Sequence, residues 1–407
     1  MPRVLVLSWE FPPRIIGGIA RHVADLYPEL VALGHEIHLL TPEFGQAPDY
    51  EVVEGIHVHR LTVPAAADFL GWVAHLNDSM GAYGGRLIQQ AGPFALIHAH
   101  DWLVGDAAIA LKHHCQLPLL ATFHATESGR HHGLHQPMHH YIHHKEWQLS
   151  YHAWRIIVCS DYMRQELIRA FACPQDKLDV IYNGIRCQEK PAAAAGDLTL
   201  WRRRFAADEE KIVYYVGRLT FEKGVAVLLN ARLTFEKGVA VLLNAVPKVL
   251  WAMGGGVKFV IIGGGNADDL KRQAWDLGIW QQCYFTGFMA EQDLQRFQRL
   301  ADCAVFPSLY EPFGIVALES FAARVPVVVS DAGGLPEIVR HGHTGIVTWA
   351  NNADSLAWGI LQVLQQPEMA RRLVDNAYAE VQQRFAWPHL ARQTDAVYRR
   401  ILSAFGY

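Results

Sequence analysis

The stretch Pro307-Ser-Leu-Tyr-Glu-Pro-Phe-Gly-Ile-Val-Ala-Leu-Glu319 holds two carboxylates eight residues apart, Glu311 and Glu319, around a Pro-Phe-Gly turn. Pro312 presets φ near the helical value and has no N–H to satisfy, so it suits a first helical turn and makes Glu311 the threshold residue. Gly314 lets a ligand approach the backbone closely. The run Ile315 to Ala323 is apolar apart from Glu319 and Ser320, which predicts a buried helix with one carboxylate on its exposed side. N–H groups at such a start attract phosphate. Eight helical residues span about 12 Å, more than the roughly 5 to 10 Å between the two carboxylates of a glycosidase. Two acids that far apart suit the two ends of one long ligand. The alternative is an ordinary helix with a Glu cap and a surface Glu.

Around this segment the composition is ordinary. The chain has 407 residues, 51% hydrophobic and 19% charged, with a formal net charge of −4. This length predicts two domains with large cores, and the charge makes no case for a nucleic-acid partner. Six cysteines without C-x-x-C spacing indicate neither zinc nor a disulfide framework and point to reduced thiols in a cytosol. The start reads as a strand without a cleavage site, and no apolar run approaches the roughly 18 residues of a spanning helix. A cytoplasmic location without membrane insertion is the expectation.

Short β-branched runs alternate with amphipathic stretches. They are Val4 to Ser8, Glu36 to Leu40, Ala95 to His98, Leu119 to Phe123 and Arg155 to Cys159, then Ile212 to Val216, Lys258 to Ile262, Cys283 to Gly287, Cys303 to Pro307 and Val325 to Ser330. Such alternation predicts two α/β, doubly wound domains with parallel sheets. The run Lys190-Pro-Ala-Ala-Ala-Ala-Gly between the two series reads as a linker. Ligands of open α/β sheets bind beyond the carboxyl ends of the strands.

Residues 218–231 and 232–245 are identical copies of Arg-Leu-Thr-Phe-Glu-Lys-Gly-Val-Ala-Val-Leu-Leu-Asn-Ala. Two copies cannot make a solenoid. As helix, an insertion of this length is about 3.9 turns and keeps the apolar face to within roughly 40°.

The Glu311–Glu319 segment is similar to the donor-binding signature of retaining GT-B glycosyltransferases, the group that contains glycogen and starch synthases, sucrose synthases and sucrose-phosphate synthases. The likeness extends in family order over nearly the whole chain. It implies two Rossmann-like domains facing across a cleft: residues 1–188 for the acceptor, 189–385 for the nucleotide sugar, and a terminal segment 386–407 crossing back to the first. By this resemblance Glu311 contacts sugar hydroxyls, Glu319 the ribose, and the backbone of Phe313, Gly314, Ile315 and Val316 the phosphate and hexose. The family pattern Gly-Arg-x4-Lys-Gly puts Arg and Lys on the diphosphate. The expectation is Arg218 and Lys223, because only the first copy follows a strand and glycine; Arg232 and Lys237 are the competing pair.

Arg14-Ile-Ile-Gly-Gly-Ile19 follows the first strand, so Gly17 and Gly18 can bring amides against a phosphate. In the resembled family that loop contacts the donor phosphate and the acceptor. His124 takes the place of a histidine set against the hexose and reaction centre, and Asp101 lies toward the acceptor. The strand-end turn at Gly264 is expected, on the same resemblance, to border the nucleotide. Phe288 and Met289 match a loop whose backbone reads the base, although both also suit a core. Residues 131–144 hold seven histidines, and His135, His139 and His143 would share a helical face. No H-E-x-x-H accompanies them, so no metal site is expected there.

The implied reaction is metal-independent transfer of a glucosyl group, with retention, from UDP-glucose or ADP-glucose. No further cofactor is implied. Arg14, Arg21, Arg130, Lys145 and Arg155 favour a sugar-phosphate acceptor such as fructose 6-phosphate, with Arg14, Arg130 and Arg155 as its contacts beside Asp101. Trp9, Trp102, Trp147 and Trp154 would instead serve an oligoglucan, as in a glycogen synthase. A non-catalytic nucleotide-sugar binder is the alternative of another class.

Overall fold

The computed structural model of the chain describes residues 2–186, 195–217, 219 and 237–406. Arg218, Lys223 and Arg232 lie outside the described residues, as do residues 190–194 of the expected linker. The chain divides into two compact units, residues 1–186 with 385–407 and residues 187–384.

The first unit is built on eight strands: β1 Arg3–Leu7, β2 Glu36–Pro42, β3 Tyr50–Val53, β4 Ile56–Leu61, β5 Leu96–His100, β6 Leu119–Phe123, β7 Arg155–Val158 and β8 Leu178–Val180. Their order is β3-β4-β2-β1-β5-β6-β7-β8. Every pairing is parallel except the β3–β4 hairpin. That hairpin turns on Glu54 and Gly55, both at positive φ (48° and 84°), as a two-residue turn requires. Sequence reading missed β3, β4 and β8. β3 is an edge strand that alternates exposed and half-buried residues, and the histidines and arginine of Ile56-His-Val-His-Arg-Leu61 look polar yet are largely buried.

The second unit holds six parallel strands: β9 Lys211–Val216, β10 Val257–Ile262, β11 Cys283–Gly287, β12 Cys303–Phe306, β13 Val327–Ser330 and β14 Ile346–Thr348. They are ordered β11-β10-β9-β12-β13-β14. Runs such as Val327-Val-Val-Ser330 are buried throughout, because a parallel sheet is covered on both faces. The strand order reverses direction at β1/β5 in one unit and at β9/β12 in the other. A doubly wound sheet opens a crevice at that point.

The terminal helix Trp387–Ala404 belongs to the first unit. Trp387 Nε1 donates to Asp25 Oδ2 at 3.2 Å, Asp395 Oδ1 meets His35 Nε2 at 2.8 Å, and Tyr398 Oη meets His98 Nδ1 at 2.8 Å. Gly184 makes room for the Trp387 ring, since a Cβ there would lie 2.5 Å from Trp387 Cδ2.

The helix bearing Glu319 starts later than its sequence suggests. It runs Ile315–Ala322, with Gly314 as N-cap at φ 108°. Glu311 therefore precedes it, followed by a bend at Pro312 and Phe313. The left-handed φ of Gly314 interrupts what Pro312 would have begun.

Candidate active site

The loops after β9 and β12 meet in the second unit. The helix Val239–Ala252 begins at Gly238, which has φ 65° and no side-chain cap. A Cβ on Gly238 would lie 1.8 Å from the Pro307 carbonyl oxygen, so only glycine permits this contact. It sets Lys237 beside the β12 loop, where Lys237 Nζ lies 2.7 Å from Glu311 Oε2. Ser308 Oγ approaches the same carboxylate oxygen at 3.4 Å. The helix Ile315–Ala322 also starts without a side-chain cap. Two uncapped helix starts, one lysine and one carboxylate thus follow adjacent parallel strands. Helix starts of this kind favour an anion.

The loop after β13 closes against this group. The Gly334 amide donates to the Glu311 carbonyl at 2.8 Å. A Cβ on Gly333 would lie 2.0 Å from that same oxygen, and one on Gly314 would lie 2.6 Å from Leu335 Cδ2. Glu319 is half-buried one helical turn on, with Ala317, Leu318, Ser320 and Phe321 turned inward. Phe313 is buried, whereas Ile315 and Val316 are half-buried. Gly264 lies in the loop after β10, and its carbonyl accepts the Leu219 amide at 3.0 Å. Phe288, 82% exposed, stands on the β11 loop rather than in a core, with Met289 half-buried beside it.

In the first unit a histidine cluster lies at the carboxyl ends of β5 and β6. His124 Nε2 is 3.1 Å from His100 Nδ1, and His100 Nε2 is 2.7 Å from Tyr27 Oη. His22, from the helix Gly18–Ala32, packs edge-on to His124 at 4.8 Å and bonds Asn183 Oδ1 at 2.7 Å. Asp101 Oδ1 accepts the His124 amide at 2.8 Å. Asp101 itself has φ 59° and ψ 173°, a conformation that costs a non-glycine residue about 1–3 kcal/mol and clusters at functional sites. Burial, reinforced by the Arg130 guanidinium, lowers the His124 pKa to about 3. Burial, with His124 adding to it, does the same for His22. Burial raises the Asp101 carboxyl to about 6 against the pull of Arg130 and the His124 amide. The rings are therefore neutral near pH 7 and act as hydrogen-bonding groups rather than cations.

The family described as Glycosyltransferase Family 4 matches residues 16–189, and the family described as Glycosyl transferases group 1 matches residues 227–380. Over 407 residues the chain is 35% identical to an uncharacterized glycosyltransferase of Methanocaldococcus jannaschii, covering 99% of this chain and 100% of the relative. The solved structure of a sucrose-phosphate synthase from Thermosynechococcus elongatus superposes with a TM-score of 0.81 at 23% identity, covering 99% of this chain and 100% of that one. The chain belongs to the GT-B glycosyltransferases. This glycosyltransferase is also 34% identical to a glycogen synthase of Mycobacterium tuberculosis, over 97% of this chain and 94% of the relative.

Some of the expected residues take other places in the glycosyltransferase. Arg155 opens β7, at the end of the sheet away from His124 and Asp101, and its Nε pairs with Asp179 Oδ2 at 2.6 Å. It is a sheet-end ion pair, because the strand runs from Arg155 toward the site rather than ending there. The Arg14 guanidinium lies over the rings of Trp72, Trp9 and Phe44 at 5.2, 5.6 and 5.8 Å, so aromatic faces hold it. The Gly17 amide, expected on a phosphate, instead donates to Glu10 Oε2 at 2.7 Å, as does the Ile16 amide. Gly18 opens its helix. Sequence reading missed Glu10, whose signal was an acid next to Phe-Pro-Pro in an otherwise apolar start. It also missed Gly333 and Gly334, which look like an ordinary turn. Among the described residues, no helix is long and apolar enough to cross a membrane.

Proposed function

We propose that this glycosyltransferase moves a glucosyl group from UDP-glucose or ADP-glucose to a hydroxyl of an oligoglucan, with retention at the anomeric carbon and without a metal in the chemistry. The observation that carries the donor half is the Lys237–Glu311 pair at 2.7 Å beside two uncapped helix starts. On this reading the diphosphate takes Lys237 and the amides after Gly314, which frees Glu311 for hexose hydroxyls, while Glu319 holds the ribose. Gly264, Phe288 and Met289 border the nucleotide. The second repeat copy then supplies the lysine, in place of Lys223.

For His124 the proposed role is at the hexose, and for Asp101 and Arg130 it is at the acceptor. The acceptor oxygen attacks the anomeric carbon as its bond to the phosphate oxygen breaks, and the departing diphosphate takes the acceptor proton. Charge grows on the diphosphate, so Lys237 and the helix starts lower the barrier.

The identity to a glycogen synthase favours a glucan acceptor. So do the positions of Arg14 and Arg155, two of the arginines on which a sugar-phosphate acceptor rested. Fructose 6-phosphate is the second reading, favoured by Arg130, whose charge acts on both Asp101 and His124. Incubation of UDP- or ADP-glucose with maltooligosaccharides or with fructose 6-phosphate, read as released nucleotide and by NMR of the product anomer, tests both. Release that depends on the oligosaccharide, with an α product, is expected. Donor binding by calorimetry without release with any acceptor would make the protein a binder.

A further inference from the structure

The histidine-rich segment that the proposed reaction leaves unused folds into a compact cluster. Glu127 begins the short helix Glu127–Arg130, whose N-cap Thr126 accepts the Gly129 amide at 3.0 Å through its Oγ1. His131 follows one turn later, its amide on the Glu127 carbonyl at 3.2 Å. The chain turns through His132 and Gly133, at φ 50° and 124°, and enters the helix Pro137–His152, which carries His139 near its start. The rings of His131 and His139 stack at 4.0 Å with 13° between planes. Glu127 Oε1 is 3.3 Å from His131 Nε2 and 4.0 Å from His139 Nε2.

Glu127 and His139 are 2% and 3% exposed. Glu127 Oε1 and His139 Nε2 are both buried without a hydrogen-bond partner. Behind them Glu146 Oε1 accepts the Glu127 amide at 2.8 Å, while Glu146 Oε2 is likewise buried without a partner. Buried polar atoms are almost always paired, and two such atoms 4.0 Å apart, Glu127 Oε1 and His139 Nε2, mark a place for an ion or water.

We propose that Glu127, His131 and His139 bind one divalent transition-metal ion of the zinc type, which ties the 127–139 loop together. All three ligand atoms lie within 4.8 Å of one another. Ligands about 2.1 Å from a tetrahedral zinc are separated by about 3.4 Å. The 3.3 Å separation meets this as it stands, the 4.0 Å one needs a closure of about half an ångström, and one of the two stacked rings must tilt so that both Nε2 lone pairs point at the ion. Two imidazoles and a carboxylate suit zinc, cobalt or nickel, whereas magnesium and calcium prefer oxygen throughout. A ring that ligates through Nε2 carries its proton on Nδ1, so the 3.2 Å contact from the His135 amide to His139 Nδ1 opens on binding. Because the ion would hold Arg130 between two of its ligands, its role is to position that arginine, separate from the donor chemistry.

Titration of the metal-stripped full chain with Zn²⁺ by calorimetry, and with Co²⁺ by visible absorption, tests the site. One equivalent and intense tetrahedral cobalt bands are expected. His131→Gln, at the least enclosed of the three ligands, should weaken binding by about a hundredfold or more and abolish those bands. His57→Gln, in the separate Glu36–His38–His57 cluster, should change neither. X-ray absorption on the zinc-loaded wild-type chain, expected to show two imidazoles, gives a readout that needs no variant. No uptake by the folded wild type, uptake unaffected by His131→Gln, or an all-oxygen shell would each overturn the proposal.

Discussion

Lys237 Nζ lies 2.7 Å from Glu311 Oε2, which joins the second copy of the 14-residue repeat to the loop after β12. If this lysine neutralises the departing diphosphate, Lys237→Ala lowers kcat/KM by about a hundredfold or more. The partly exposed pair adds little to the fold, so urea unfolding shifts by no more than about 1 kcal/mol. Lys223→Ala is expected to leave kcat/KM within about threefold on the same principle. The opposite ranking in steady-state assays would return the role to the first copy.

Gly238 sits where a side chain has no room. Its φ of 65° and the 1.8 Å approach of a Cβ to the Pro307 carbonyl make Gly238→Ala destabilising by about 3 kcal/mol. Gly81→Ala is the contrast, since that glycine lies inside the helix Phe69–Ala91 with nothing within 4 Å. It should stabilise by about 0.5–1 kcal/mol. Denaturation midpoints of the two variants decide the sign of each.

The buried histidines predict acid sensitivity. His22 and His124 have folded pKa values of about 3 against 6.5 unfolded, so their stabilising effect is complete above pH 6.5 and is lost as the pH falls toward 3. Asp101 works the other way. Its raised value of about 6 means that its contribution is present below its ordinary value near 3.8 and lost as the pH rises through 6. Between pH 7 and 5 the two histidines lose about 4 kcal/mol and Asp101 regains about 1, a net loss of about 3 kcal/mol. Urea unfolding at the two pH values with equal midpoints would show that the folded rings accept protons.

Arg155 pairs with Asp179, which also accepts Arg400 at 2.6 Å. Arg155→Ala should therefore cost about 1 kcal/mol of stability and leave kcat/KM within about threefold for either acceptor. A selective loss with fructose 6-phosphate would restore Arg155 to the acceptor site.

How far each feature was legible depended on the range of the interaction behind it. Strands such as Val327–Ser330 announce themselves because both faces are buried and the run is apolar throughout. β4 hid because His57, His59 and Arg60 look like surface residues, and only their partners explain their burial: His59 bonds Tyr83 at 2.9 Å, and Arg60 reaches the Pro48 and Pro12 carbonyls at 3.1 Å. The spacing of Glu311 and Glu319 was open to reading, but the helix start between them was not. Gly314 adopts its left-handed φ because Leu335 and the Gly333–Gly334 loop pack against that turn, a contact from another strand.

The amino-acid sequence alone determined the alternation of strands and helices and the two α/β domains, because period, turn chemistry and apolar runs are local properties. Tertiary structure set Lys237 beside Glu311, Arg155 at a sheet end, and His131 and His139 around Glu127. Identical local sequence carries no information on register. Lys237 takes its place through Gly238, whose left-handed φ lets the chain pass close to the Pro307 carbonyl some 70 residues away.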